Sequence, residues 1–256
     1  MISDVPAFTL FPFHFYHGIL GMMVLQVVYV TYVFLRAHGK ARQSENDISI
    51  PAASIPIIIL FSAALTLFLG VRGTYIHDLG TILPIIIGVA VPISVGLLLL
   101  LVPGFRAVVD RVDVSWLMAI QTFRVFGYIF LILFDLNMLS KWFALGAGYG
   151  DILVGLLAPV ATYLWVQKTR HAKSFAIFWN VLGIIDFLVI AVPLYLISLP
   201  ALNNVGPNSE LMNYFPMVMI PTFIAPFFIV LHFYSLRIIL RTGKLKSVGK
   251  TKLQFS

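Results

Sequence analysis

The sequence has no cysteine and very little charge. The absence of cysteine among the 256 residues excludes disulfide bonds, thiolate metal sites, iron–sulfur clusters and covalent c-type haem attachment. Charged residues make up only 11% of the chain, against about 25% in soluble domains. A chain with so few charges cannot cover a surface that faces water, so most of it must face lipid or other helices. The alternation expected of a membrane β-barrel strand is also absent from apolar runs such as 56–69 and 93–102. We therefore predict an all-α, polytopic transmembrane helical bundle.

Hydrophobic residues, 60% of the chain, are grouped in blocks whose length is near the ~20 residues that a helix needs to cross a bilayer. Seven blocks predict seven spans, at residues 13–35, 51–71, 82–102, 115–138, 150–167, 175–197 and 215–240. Residues 1–9 contain Asp4 and no Lys or Arg, unlike the positive start of a secretory signal, so the first block is expected to remain as a helix. The predicted organisation is a short outer segment at 1–12, a transmembrane domain at 13–240 and a basic cytoplasmic tail at 241–256.

Basic residues lie mainly at the ends of alternate blocks. The connections on one side, together with the tail, contain Arg36, Lys40, Arg42, Arg106, Arg111, Lys168, Arg170, Lys173, Arg237, Arg241, Lys244, Lys246, Lys250 and Lys252. The opposite connections contain only Arg72 and Lys141. Because basic loops remain in the cytoplasm, the N-terminus is predicted outside and the C-terminus inside. The net charge of +7 then reflects topology, and we predict no nucleic-acid partner because no basic groove or recognition module is present.

Ionisable residues within the predicted spans are the candidates for a ligand site or a proton pathway, since each needs a partner or a cavity. These residues are Arg124, Asp135, Asp151, Asp186 and His232. Arg124 stays charged, and Asp186 is its natural partner because the two are expected at similar depths. Asp135 follows Arg124 by eleven residues, about three turns, and is predicted on the same helix face.

Two interpretations of these residues are open. In the structural one, Arg124 and Asp186 form a buried ion pair, and Asp151 caps the fifth span after a glycine-rich loop at 141–149. In the functional one, the same residues line a polar cavity that admits a solute, an anionic headgroup or protons. The prolines of the seventh span, Pro216, Pro221 and Pro226, favour a cavity because proline frees backbone carbonyls.

Histidines near the predicted outer face suggest a second kind of site. His14 and His17 are three residues apart, and His77 and Asp78 lie in the next outer connection. These four residues could bind a metal, or His17 and His77 could be axial haem ligands. The alternative is that they are interfacial residues without a ligand, and the cofactor stays unknown.

A resemblance to other sequences lies in the second half of the chain. The segment WFALGAGYGDILVG at residues 142–155, then Ala158-Pro159, then WNVLGIID ending at Asp186, resembles a group of uncharacterised bacterial multipass proteins. The resemblance implies a multi-pass protein of the bacterial inner (plasma) membrane. It implies no activity.

The leading hypothesis is a membrane protein that binds or transports a small polar or anionic solute, with proton coupling. Arg124 would be the partner of an anion, and Asp151 and Asp186 the counter-charges or proton carriers. The alternatives are a metal- or haem-binding redox protein and an accessory or assembly subunit of a membrane complex. No nucleophile–base pair can be defined, so enzymatic activity is not favoured, and nothing in the sequence indicates an oligomeric state.

Overall fold

The structure is a computed structural model that describes residues 13–44, 50–76, 83–197 and 209–252. No strand is present in these segments, which confirms the all-α prediction. The predicted outer segment 1–12 lies outside the described residues. The helices are α1 Phe13–Ser44, α2 Ser54–Val71, α3 Leu83–Leu98, α4 Pro103–Val109, α5 Val114–Ala119, α6 Tyr128–Asp135, α7 Lys141–Val166, α8 Ala172–Ile185, α9 Val192–Ile197 and α10 Ala225–Lys252.

Six helical segments of the described chain are long and apolar enough to cross a membrane, and the chain is therefore a multi-pass membrane protein. They are Phe15–Gln43, Ser54–Val71, Leu83–Leu101, Val114–Asp135, Lys141–Val166 and Ile220–Thr242. The predicted span at 175–197 is helical as well, through α8, a π-helical segment and α9, but it is not among the six. The count of seven spans, like the N-out orientation, stays a prediction.

Four stretches of the described spans depart from the regular α-helix. One is a 3₁₀ turn, Leu99–Leu101, at the end of the third span. A 3₁₀ segment, Ile120–Gly127, joins α5 to α6. A π-helical segment, Asp186–Ala191, joins α8 to α9, and a second one, Ile220–Ile224, precedes α10. The predicted start of the last span at residue 215 is wrong, because residues 215–218 form a buried turn that contains Pro216.

The predicted start of the fifth span at Gly150 is also wrong. Helix α7 begins at Lys141, so the glycine-rich stretch 141–149 is helical and is not a loop. The glycines serve helix packing instead: a Cβ atom at Gly148 would lie 2.8 Å from a methyl carbon of Leu131. Asp151 is therefore almost three turns inside the helix, and it does not cap the helix N-terminus.

Helix α10 lies at the centre of the bundle. In its span, 67% of the most apolar stretch is buried by other parts of the protein, whereas for α3 the value is 6%. The helix packs against α3, α5 and α8. At its basic end, the Nε of Arg237 donates to Oδ1 of Asp110, just after α4, at 2.8 Å. Helix α10 thus brings its own polar side chains into the interior, whereas few residues of α3 are buried within the chain.

Candidate functional site

Arg124 is the centre of a buried polar cluster. It lies on the 3₁₀ segment and only 2% of the residue is exposed. Its Nε donates to Oδ1 of Asp151 at 2.8 Å, and its Nη2 donates to Oδ2 of Asp186. Its Nη1 lies 3.2 Å from Nε2 of His232. The Cζ atom of the guanidinium is also 4.0 Å from the centre of the Phe187 ring, a cation–π contact. The structure thus brings four of the predicted residues together from α7, α10, the 3₁₀ segment and the first π-helical segment.

The hydrogen bonds around His232 determine which ring nitrogen carries the proton. The amide nitrogen of Asn180 donates to the carbonyl of Ala176 at 2.8 Å, so its Oδ1 faces Nδ1 of His232 at 3.0 Å. Because this oxygen is an acceptor, Nδ1 carries the hydrogen, and Nε2 accepts from Arg124. The ring of Trp179 packs on the imidazole at 5.0 Å between centroids. His232 therefore acts in this arrangement as a neutral acceptor for Arg124.

The cluster contains more acidic groups than basic ones. One guanidinium contacts two carboxylates, so the cluster has an excess of one negative charge when both are ionised. Asp186 is 2% exposed, and its Oδ1 has no hydrogen-bond partner among the described residues. Buried charges are tolerated only when they are paired and hydrogen-bonded. The arrangement can therefore accept a proton or a cationic group.

Four glycines leave room for the cluster. A Cβ atom at Gly127 would collide with Asp151, one at Gly150 with Asp186, and one at Gly183 with His232. A Cβ atom at Gly155 would lie 2.5 Å from the backbone nitrogen of Val125, next to Arg124. Small residues that let helices approach closely are common in membrane interiors. Here they also set the distances between the charged side chains.

A cavity of about 480 Å³ lies beside Arg124 and Asp151. It is bounded by the first half of α1, by the 3₁₀ segment with α6, and by the beginning of the last span. Its lining side chains are almost all apolar, and many of these side chains are aromatic. Arg124 and Asp151 are the charged residues in its lining. The side chain of Asp151 is 15% exposed, compared with 1% for Arg124, so the carboxylate is the more accessible of the two.

Asp135 and His17 are not part of this cluster. Asp135 is exposed at the end of α6. It does not share a helix face with Arg124 as predicted, because part of the chain between them is a 3₁₀ helix, which has three residues per turn where an α-helix has 3.6. His17 is exposed on α1, and His77 and Asp78 lie outside the described residues. His14 lies in α1, but its side chain is not described. Within the described segments, no group of three or more His, Cys, Asp or Glu residues could hold a metal ion.

Two neutral residues of the cluster were not singled out from the sequence. Asn180 and Trp179 hold His232 in place, and the indole of Trp179 donates to the carbonyl of Val154 at 3.0 Å. In the sequence they begin the segment WNVLGIID, which carries part of the family resemblance but implies no role for either residue. Neutral polar residues are common at helix contacts in membranes, so such a signal is weak.

Comparisons with known proteins give a family and no activity. Neither the curated proteins nor the solved structures include a match to this chain. One family matches residues 82–240, more than half of the chain, and this stretch contains Arg124, Asp151, Asp186 and His232. Helix α1, which forms one wall of the cavity, precedes it. The chain belongs to the family described as "Domain of unknown function (DUF8737)".

Proposed function

We propose that this protein binds a small solute in the cavity beside Arg124 and moves it across the membrane in a proton-linked manner. The observation that carries the proposal is that three of the four irregular stretches in the described spans meet at this cavity. Phe126 of the 3₁₀ segment, Phe187 of the first π-helical segment and Ile224 of the second all line it. Short π-helical segments are often found at functional sites, and interrupted helices border the substrate sites of many transporters.

The contacts of Arg124 favour a polar or cationic solute over an anionic one. Three nitrogens of its guanidinium already contact Asp151, Asp186 and His232. An anion in the cavity would have to compete with two carboxylates for that guanidinium, and it would meet Asp151 first. A solute with a hydrogen-bond donor or a positive charge would instead be attracted by Asp151.

Proton linkage follows from two carboxylates that share one guanidinium. Protonation of Asp151 or Asp186 removes the excess negative charge of the cluster, and so does the arrival of a cationic group at Asp151. The proton and the solute would therefore compete for the same charge, which is the condition for exchange of one for the other. The two carboxylates are close enough to Arg124 for a change at one of them to alter the bonds of the other.

The membrane arrangement that we propose has seven spans, with the N-terminus outside. The distribution of Lys and Arg supports it. The segment from Ala172 to Ile197 would be the sixth span, with Asp186 near its middle. The cavity would then lie in the outer half of the bundle, because the first half of α1 forms one of its walls.

Filling the cavity tests the proposal. Gly21 lines the cavity on α1, and a Cβ atom added there meets no atom within 4 Å, so Gly21→Phe can occupy the space without a clash at its base. Gly39→Phe is the matched control, because Gly39 lies on the same helix with equally open surroundings and is not part of the cavity.

The three proteins are purified from membranes in a mild detergent, and the small molecules bound to each are extracted and compared by mass spectrometry. We expect a compound that accompanies the wild type and Gly39→Phe, and that falls at least about tenfold in Gly21→Phe. Equal amounts of every compound in all three proteins would contradict the proposal.

A further inference from the structure

The walls of the cavity are unusually rich in aromatic rings. Of the twenty lining residues, seven are aromatic, among them Phe15, Phe123, Phe126, Tyr128 and Phe228. Aromatic faces carry partial negative charge and attract organic cations, most strongly when the cation is desolvated. Phe187 already makes a contact of this kind with Arg124, so one wall of the cavity demonstrates the chemistry.

The polar end of the cavity offers an anionic acceptor. Oδ1 of Asp151 accepts from Arg124, whereas the described residues give its Oδ2 no hydrogen bond. Oδ2 lies beside Gly127, 3.0 Å from the position that a Cβ atom would take there. Since Gly127 also lines the cavity, the glycine keeps this end of the cavity open next to the carboxylate. A bound group that approaches Asp151 there would meet an oxygen with unused acceptor capacity.

The rim of the cavity consists of apolar side chains within the spans. Leu25 is 43% exposed, Phe126 49% and Ile132 42%. All three lie inside helices that are long and apolar enough to cross the membrane, so their exposed surface faces acyl chains. The cavity thus opens sideways towards lipid, between α1 and the fourth span. A molecule that enters this way needs an apolar body, because it passes through the hydrocarbon region first.

We infer that the ligand of this cavity is a hydrophobic organic cation, which enters from the bilayer. Its apolar body lies against the aromatic wall, and its positive centre lies near Oδ2 of Asp151. The ion balances the negative charge that Arg124 leaves uncompensated in the cluster. This inference rests on the proposed function and adds the chemical class of the ligand and its route of entry. The volume of about 480 Å³ lies within the range of small-molecule sites, roughly 300–1,000 Å³.

Tetraphenylphosphonium is the probe, and tetraphenylborate, which has nearly the same shape and the opposite charge, is its control. Binding of each ion is measured separately by equilibrium dialysis against purified protein in detergent. The proteins are the wild type, Asp151→Asn, Gly21→Phe and Gly39→Phe. We expect saturable binding of the phosphonium to the wild type and to Gly39→Phe, and loss of binding in Gly21→Phe. In Asp151→Asn the dissociation constant should rise at least about tenfold, and the borate should not bind saturably to any of them.

The inference is overturned if the wild type does not bind the phosphonium, or if Asp151→Asn binds it as tightly as the wild type. It is also overturned if the borate binds the wild type as well as the phosphonium does. If the borate binds the wild type and this binding is lost in Gly21→Phe, the cavity is still a ligand site, and only the inferred class of ligand is wrong. If neither ion binds and Gly21→Phe leaves the co-purifying compounds unchanged, the proposed function fails too. Should Asp151→Asn not fold, the comparison of the two ions on the wild type still decides the matter.

Discussion

Arg124 connects its own 3₁₀ segment to three other parts of the chain through single side-chain contacts. Asp151 reaches it from α7, His232 from α10, and Asp186 and Phe187 from the first π-helical segment. Each partner covers a different part of the guanidinium. Removal of the arginine would therefore leave two carboxylates in the interior without the cation that both of them contact.

Arg124→Gln should lower the free energy of unfolding by about 3–5 kcal/mol, because it leaves buried carboxylates uncompensated. Adding Asp186→Asn to it should recover part of that loss, since one of those charges is then removed. The measurement is denaturant or thermal unfolding of the purified variants in detergent. Arg237→Gln is the control and should cost less than about 1 kcal/mol, because Arg237 is partly exposed and Asp110 keeps its contact with Arg241. Strictly additive losses in the double variant would contradict this account.

At this scale, the sequence predicts the charged residues well and their neutral partners poorly. Arg124, Asp186 and His232 stand out because an ionisable group within a span is costly unless it is paired. Asp151 was found as well, but its predicted role as a helix cap is wrong because α7 begins ten residues earlier. Asn180 carries no charge, and its place in the segment WNVLGIID does not indicate that it contacts His232.

The helices around the cluster depend on close backbone contact. Helix α7 approaches the 3₁₀ segment at Gly155, where no side chain separates the two. The sequence predicts the presence of these helices from hydrophobicity, but not their irregular segments. Pro221, inside the second π-helical segment, and Pro193, two residues after the first, are local hints of those segments. Ile120–Gly127 contains neither proline nor any other break signal before its final glycine.

Gly155→Ala should separate α7 from the 3₁₀ segment and move Asp151, one turn away, relative to Arg124. The new methyl group would meet the backbone nitrogen of Val125 at 2.5 Å, and backbone cannot rotate aside. We expect a loss of roughly 1–3 kcal/mol in the free energy of unfolding, together with weaker binding of tetraphenylphosphonium.

Gly39→Ala is the matched substitution, because a Cβ atom at Gly39 meets no atom within 4 Å. It should leave binding unchanged, and its stability should stay equal or rise by up to about 1 kcal/mol through helix propensity. If Gly155→Ala behaves in the same way as Gly39→Ala, the close contact is not required for the cluster.

For the molecule as a whole, the main prediction from the sequence is its arrangement in the membrane. Six helices of the described chain are long and apolar enough to cross, and the charge distribution predicts a seventh crossing at 175–197. The number of spans decides where the two termini lie. With an odd number of spans they lie on opposite sides of the membrane, and with an even number on the same side. The sequence makes a definite prediction at this level, because basic residues are a direct signal of orientation.

The lack of native cysteine makes the topology easy to test. Single cysteines are introduced by Ser3→Cys, Asn203→Cys and Lys250→Cys, and intact cells are treated with a maleimide that does not cross membranes. We expect labelling of the first two in intact cells, and of the third only after the membrane is permeabilised. Labelling of the cysteines at positions 3 and 250 from the same side would mean that the number of spans is even.

The central claim is that the cavity between α1, the fourth span and the last span is where the protein holds its solute. The most direct measurement is the amount of co-purifying compound per chain in Gly21→Phe and in Gly39→Phe, both relative to the wild type. The account predicts near-stoichiometric compound in the wild type and in Gly39→Phe, and nearly none in Gly21→Phe. A Gly21→Phe protein that is folded and still carries the same compound in the same amount would contradict it.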